Sequence, residues 1–212
     1  MLAGALDGTR AAVQGHKICS GKANQHQGVF VDLESHASVC VGIISDTHGA
    51  IENSILALMQ QCDVIVHAGD ILNPDILRRV TPKTGHVIAV RGNNDTVEQW
   101  PIGTADLLES LPEVATLRLP GGVLAVEHGH RVNPAHQRHH KLRMRHPEAR
   151  AVIYGHTHHR IIDTSEPIWV LNPGAAGKVR AYGGSGCLLL HATAERWWVE
   201  EKTLPNLRAG SA

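Results

Sequence analysis

Asp46, His48, Asp70, Asn93, His128, His156 and His158 are the side chains of this 212-residue sequence best suited to act together chemically. They lie in five short stretches, S-D-T-H, A-G-D, G-N-N, H-G-H and G-H-T-H, each following an apolar run of strand length. In α/β sheets, ligands bind beyond the carboxyl ends of the strands, so residues at five such ends converge on one crevice. Two carboxylates, an amide oxygen and four imidazoles make a mixed N/O donor set without a thiolate, which suits Mn, Fe, Zn, Co or Ni. Seven donors are too many for one tetrahedral zinc. Two ions about 3.5 to 4 Å apart, sharing a carboxylate, would use that number well, and Asp70 is the candidate bridge. A water held between such ions loses a proton near neutral pH and can attack a phosphorus in line with its leaving group. Taken singly, each residue has a plainer explanation: Asp70 and Asn93 stand beside Gly69 and Gly92 as turn residues would, and a histidine at a strand end can cap backbone groups. Recurrence at successive strand ends carries the metal reading.

Positioning these residues requires a particular order of elements. V-C-V-G-I-I-S-D, D-V-I-V-H-A-G-D and H-V-I-A-V-R-G-N have the near-continuous apolar character of strands buried on both faces. Between them, helix spacing runs from Ile51 to Gln61 and from Pro74 to Val80, the second opened by Asn73 as cap with Pro74 at the first helical position. The first half is therefore β-α-β-α-β. After Pro112, V-A-T-L-R-L and V-L-A-V-E-H flank Pro120-Gly121-Gly122 as a hairpin. A basic helical segment is expected over 134–146, then a strand A-V-I-Y-G-H and short strands near Ile161, Trp169, Leu188 and Trp197. A β-rich second half after a β-α-β first half indicates an α/β (α+β) protein of two packed sheets with helices outside. Residues 1–37 lack periodicity and read as a poorly ordered extension, with a short strand over 28–33; the catalytic domain spans 38–203, and 204–212 form a tail.

The ordered series S-D-T-H-G (45–49), H-A-G-D (67–70), V-R-G-N-N-D (90–95), E-H-G-H (127–130), Y-G-H-T-H (154–158) and L-N-P-G-A (171–175) resembles the calcineurin-like metallophosphoesterase superfamily, within it the small YfcE-type phosphodiesterase branch. The resemblance implies a four-layer αββα sandwich of two packed mixed β-sheets flanked by helices. It also implies one metal on Asp46, His48, Asp70 and His158, and a second on Asp70, Asn93, His128 and His156. Manganese comes first for both, with Fe, Zn, Ni, Co or Mg as alternatives. Asp70, Asn93 and His128 join Asn94 as candidate catalytic residues. The wider superfamily has a histidine where this chain has Asn94, and a neutral amide can hydrogen-bond a phosphoryl oxygen but cannot protonate a leaving group. The small-phosphodiesterase branch also tends to lack that histidine, so Asn94 favours diesters with good leaving groups. The resemblance leaves open a phosphomonoesterase, a homodimer and a non-catalytic protein-binding scaffold like the retromer coat subunit of this fold.

Bulk properties set the remaining limits. With 20 basic and 20 acidic residues the net charge is zero, so no global field draws the chain to nucleic acid or anionic membrane, and a stable nucleic-acid complex is not expected. No apolar run approaches the roughly 20 residues that span a bilayer, and residues 1–15 have no signal-peptide pattern. Cys19, Cys40, Cys62 and Cys187 stand far apart and read as buried or inert thiols, which fits a reducing cytoplasm; the ligand set together with Asn94 points to a small phosphodiester or nucleotide-like substrate. Sixteen histidines are a compositional bias until position decides among them. For the basic 134–146 segment a solvated helix face is favoured over a phosphate-steering patch. His67 stands either as a ligand-orienting group or a satisfied core polar residue, and Asn172 is a candidate support of the ligand shell.

Overall fold

The computed structural model describes residues 17–18 and 29–204. Its first sheet is built on the three apolar runs, which become β3 (Ser38–Ile44), β4 (Val64–His67) and β5 (His86–Ala89), all parallel. Along β3 the side chains alternate: Val41 and Ile43 enter the core between the sheets, while Ile44 enters the core beneath the helices. Both faces are covered, which is why the run is apolar without a polar partner at every second position. β11 (Gly186–Thr193) lies antiparallel to β3, and β12 (Trp197–Thr203) antiparallel to β11. With β1 (Lys17–Ile18) beside β5, the order is β1-β5-β4-β3-β11-β12.

The second sheet contains β2 (Val29–Asp32), β6 (Val114–Leu119), β7 (Gly122–Glu127), β8 (Ala151–Ile153), β9 (Arg160–Asp163) and β10 (Trp169–Pro173), in the order β2-β6-β7-β8-β10-β9. Leu117, Leu124, Val126, Ile153 and Leu171 from this sheet meet Val41, Ile43, Val66, Leu188 and Leu190 from the first in the central core. The outer face of the first sheet is covered by α1 (Asn53–Met59), α2 (Pro74–Arg79) and α3 (Ala105–Ser110) through Ile55, Met59, Ile76, Leu77 and Leu108. The outer face of the second is covered by α4 (Arg138–Arg145), whose Leu142 packs on Val152, Tyr154 and Val170. The result is the αββα sandwich of two mixed sheets.

Differences from the sequence reading are local. The first helix is shorter than 51–61, because Glu52 at its start makes no side-chain cap and Ile51 remains outside it. Asn73 does cap α2, its Oδ1 accepting from Asp75 N at 2.9 Å, with Pro74 in the first turn. The basic segment opens with a 3-10 turn over Ala135–Gln137 before α4 begins. The strand expected over 28–33 is β2, and β1 also lies upstream of residue 38, so that segment adds an edge to each sheet. Residues 1–16 and 19–28 of that segment, including Cys19, and the tail beyond Leu204 lie outside the described residues. Cys62 and Cys187 are buried free thiols and Cys40 is half-buried. No helix among the described residues is long and apolar enough to cross a membrane.

Candidate metal centre

Five strand ends meet along one edge of the sandwich. The loop after β3 carries Asp46 and His48, that after β4 carries Asp70, and that after β5 carries Asn93 and Asn94; β7 and β8 deliver His128 and the pair His156 and His158. Backbone bonds lace these loops together: Asp46 N donates to Gly69 O at 3.0 Å, His48 N to Asp70 O at 3.0 Å, and Gly155 N to His128 O at 3.1 Å. Among the described residues only seven other than glycine have positive φ, and five of them are Asp46, His48, Asp70, His156 and His158. Such conformations cost about 1–3 kcal/mol each and persist only where the surroundings over-determine them. The loops approach so closely that two positions require glycine. A Cβ at Gly155 would stand 2.0 Å from Ser45 Oγ, and one at Gly92 would stand 2.2 Å from Asp70 Oδ1.

Asp46, His48, Asp70 and His158 each offer a ligand atom within 4.8 Å of the others'. His158 Nε2 lies 3.3 Å from Asp46 Oδ1, His48 Nε2 lies 3.8 Å from Asp70 Oδ2, and the two imidazole Nε2 atoms face each other at 3.1 Å. The other oxygen of Asp70 faces the other way, with Oδ1 3.3 Å from His128 Nε2. His128 Nδ1 is held by Ala68 O at 2.7 Å, so its Nε2 is presented to the carboxylate, where it is buried without a hydrogen-bond partner. His156 completes this second group, its ring 5.4 Å from that of His128 and its Nδ1 3.0 Å from Asn93 Oδ1. The structure therefore brings all seven candidate ligands together, with Asp70 between two sets.

This arrangement fits cations. Imidazole nitrogens aimed at carboxylate oxygens and at one another, with one buried nitrogen unpartnered, are pairs of lone-pair donors that a divalent ion satisfies. Charge already shapes the site. Burial pushes the Asp70 carboxyl up, but His128 together with the Asn94 donors outweighs it and holds the group below the usual carboxylate range. Asp46 lifts the His158 imidazole above its ordinary value, whereas burial draws those of His48 and His156 below theirs. Asn94 gives its backbone N–H to Asp70 Oδ1 at 2.9 Å and its side-chain amide to Oδ2 at 2.6 Å, so its side chain is engaged with the carboxylate rather than free in the crevice.

Surrounding residues fix the ligands. His67 is fully buried, its Nδ1 accepting from Gly69 N at 3.2 Å and its Nε2 3.0 Å from Thr47 Oγ1, so it is a satisfied polar residue bracing two ligand loops. Asn172 gives its amide to Gly155 O at 2.8 Å and Thr157 Oγ1 at 3.1 Å, clamping G-H-T-H. Asp95, within V-R-G-N-N-D, is a functional residue that the motif spacing does not mark: its Oδ1 accepts from Ile71 N, Leu72 N and Trp100 Nε1, and its Oδ2 from Gly92 N, all at 2.8–2.9 Å. Most of the basic segment is neutralised: Arg143 pairs with Asp163 and Glu166, His139 with Asp163, and Arg145 and His146 with Glu127. Arg138 differs, for its Nε is buried without a hydrogen-bond partner and its charge acts on His156.

His67 sets a pH dependence. Burial depresses its pKa to about 4 from 6.5, so the fold holds the neutral imidazole more strongly than the unfolded chain does. Its contribution is complete above pH 6.5 and is lost as pH falls from 6.5 through 4, by up to about 3 kcal/mol. Urea unfolding of the chelator-treated protein between pH 6 and 4.5 is expected to show a slope shallower by about 1.4 kcal/mol per pH unit in His67→Gln than in the wild type. Parallel slopes would remove His67 from this role.

The sandwich and its edge of carboxylates and imidazoles define a metallophosphoesterase-type protein. Residues 39–195 match the model of the calcineurin-like phosphoesterase superfamily domain, and the chain belongs to that superfamily. It is 26% identical over 144 residues to a phosphodiesterase of Methanocaldococcus jannaschii, covering 63% of this chain and 82% of that one. Among solved structures, vacuolar protein sorting 29 of Cryptosporidium parvum superposes with a TM-score of 0.67 at 16% identity, covering 81% of this chain and 94% of that one. The Entamoeba histolytica protein of the same name, solved with Zn2+, gives a TM-score of 0.61 at 21% identity, again covering 81% and 94%. At these identities the two structures speak for the fold.

Proposed function

We propose that the chain is a dinuclear metal-dependent phosphodiesterase that hydrolyses small or nucleotide-like phosphate diesters. The observation carrying this is the position of Asp70, whose two oxygens face separate histidine groups, His48 on one side and His128 on the other. Asp46, His48, Asp70 and His158 would hold one ion, and Asp70, Asn93, His128 and His156 the other, with manganese first among the candidates. When bound, the ions supply Lewis acidity to the phosphoryl oxygens and lower the pKa of a water nucleophile. The protein's own part is to hold the donors rigidly: Ala68 O orients His128, Val179 O orients His158 at 3.0 Å, and Asn94 stabilises the charge on Asp70. Asn94 has no proton to give a leaving group, so the chain should favour diesters whose leaving groups depart as stable anions. The 26%-identical phosphodiesterase supports the diester reading.

Hydrolysis of bis-p-nitrophenyl phosphate and p-nitrophenyl phosphate, with Mn2+ and after chelation, tests it. The expected result is diester turnover above monoester turnover, lost on chelation and restored by metal. Preferential monoester turnover would make the chain a phosphomonoesterase. The alternative that the family resemblance leaves open, a protein-binding scaffold without catalysis, would be favoured by no metal-dependent turnover of either ester.

A further inference from the structure

Tyr154 stands between two of the ligand loops. It precedes Gly155 and His156 in the chain, and its ring packs on Gly129, the residue after His128, so closely that a Cβ there would stand 3.1 Å from Tyr154 Cδ2. The two loops also bond directly, Gly155 N donating to His128 O at 3.1 Å. Tyr154 is 1% exposed, and a hydroxyl buried without a partner carries a cost that a Phe in its place would not. Its partner comes from α4: the Tyr154 hydroxyl lies 3.1 Å from His139 Nε2, and His139 Nδ1 lies 2.7 Å from Asp163 Oδ2. Asp163 is fixed from the same helix, accepting at 2.8 Å from Arg143 Nη2, one turn beyond His139. A carboxylate only accepts, so His139 Nδ1 donates to it, and the Nε2 of the neutral ring is left to accept from the tyrosine O–H. Each ring nitrogen then has one role, and the tyrosine is held in one orientation. Leu142, Val152 and Val170 already pack α4 on the second sheet, so the polar chain adds direction rather than cohesion.

We propose that Asp163, His139 and Tyr154 form a hydrogen-bonded brace that runs from β9 through α4 to the ligand loops and positions His128 and His156. It rests on the reading of those two histidines as ligands of one ion, and it makes His139 and Tyr154 positioning residues although neither is a ligand. The basic segment thereby does more than present charge: one of its residues sets the geometry of the centre from the far side of the second sheet.

Amide hydrogen exchange of the full chain after chelation tests the brace without metal. His139→Leu and Tyr154→Phe are each expected to speed exchange at Gly155, whose N–H joins the two loops, and at His156 by about tenfold, the scale of one lost hydrogen bond, while the amides of β3 and β4 exchange as in the wild type. Asp163 keeps its Arg143 and Ser165 partners in His139→Leu, so the fold is retained. The double variant should match either single one, because both cut the same chain. His139→Gln should restore slow exchange, since a primary amide also offers a donor and an acceptor there. Calorimetric titration with Mn2+ reads the consequence: one of two ions should bind about tenfold more weakly in both single variants, and as in the wild type in His139→Gln. Unchanged exchange at Gly155 and His156 in both single variants, single effects that add in the double variant, or failure of His139→Gln to restore what His139→Leu loses would each overturn the proposal. Failure of the brace and of the metal reading are distinct results: faster exchange in a protein that binds no Mn2+ refutes the ion and keeps the brace, and two tightly bound ions with unchanged exchange refute the brace alone.

Discussion

Asp70→Asn is expected to reduce diester turnover by roughly 10³-fold or more and to lower bound metal below one ion per chain, while the protein still folds. The substitution conserves shape, so an amide oxygen can still accept from the Asn94 backbone N–H now at 2.9 Å. It removes the charge that both histidine groups face, and it places an NH2 where one oxygen stands. If that NH2 replaces Oδ2 it meets the Asn94 amide, now 2.6 Å away; if it replaces Oδ1 it meets the Nε2 of His128 at 3.3 Å. Either way one ion set loses its shared ligand. Metal content by elemental analysis and turnover of bis-p-nitrophenyl phosphate check this together, with thermal unfolding as the control for fold. Two ions per chain and turnover within tenfold of the wild type would show that Asp70 is not the bridge.

The same residues show how far the sequence alone reaches. The strands that carry Asp46, Asp70 and Asn93 were legible because both faces are buried, leaving short apolar runs that stop abruptly at polar clusters. The ligands were legible because a donor recurs at each stop. What joins the loops was not, because long-range pairing leaves no local pattern: Asp95 meets Ile71, Leu72, Gly92 and Trp100, and nothing in V-R-G-N-N-D points to the loop after β4. β1 was missed for a like reason, being two residues that become a strand only by pairing with β5.

Left-handed backbone at five of the seven ligands gives the site a physical character that motifs do not convey. Asp and His tolerate that region better than β-branched residues do, but each still carries a cost, and the loops do not relax because neighbouring loops hold them. Ligand geometry is thus set by the cross-links between loops as much as by the ligands. A bound ion would add to that restraint by stabilising only the folded state.

Asp95→Ala tests the cross-links directly, since it touches no ligand side chain. Asp95 is 3% exposed and its two oxygens accept from four donors: the backbone N–H groups of Ile71 and Leu72 immediately after Asp70, that of Gly92 immediately before Asn93, and the indole of Trp100. Hydrogen bonds to a charged acceptor contribute about 1.5–3 kcal/mol each, and a buried donor left unpaired costs a comparable amount. Relaxation and water entry keep the losses from adding fully, so unfolding free energy is expected to fall by about 4 kcal/mol, a large part of the roughly 5–15 kcal/mol of an ordinary domain. Freed from Asp95, the loops carrying Asp70 and Asn93 should drift apart and weaken metal binding by roughly 10–100-fold, the usual effect of losing a group that orients ligands. Asp95→Asn separates the two effects. One amide oxygen can still accept from the three donors on Oδ1, while the NH2 opposes Gly92 N, so the loop after β4 stays tied and the loop after β5 is released. Its stability loss should be about half that of the alanine variant, and Asn93 and His156 should lose their ion before Asp46, His48 and His158 lose theirs. Urea unfolding and a Mn2+ titration of both variants measure this, and alanine and asparagine variants that both keep wild-type stability and metal affinity would show that the two loops hold their shape without Asp95.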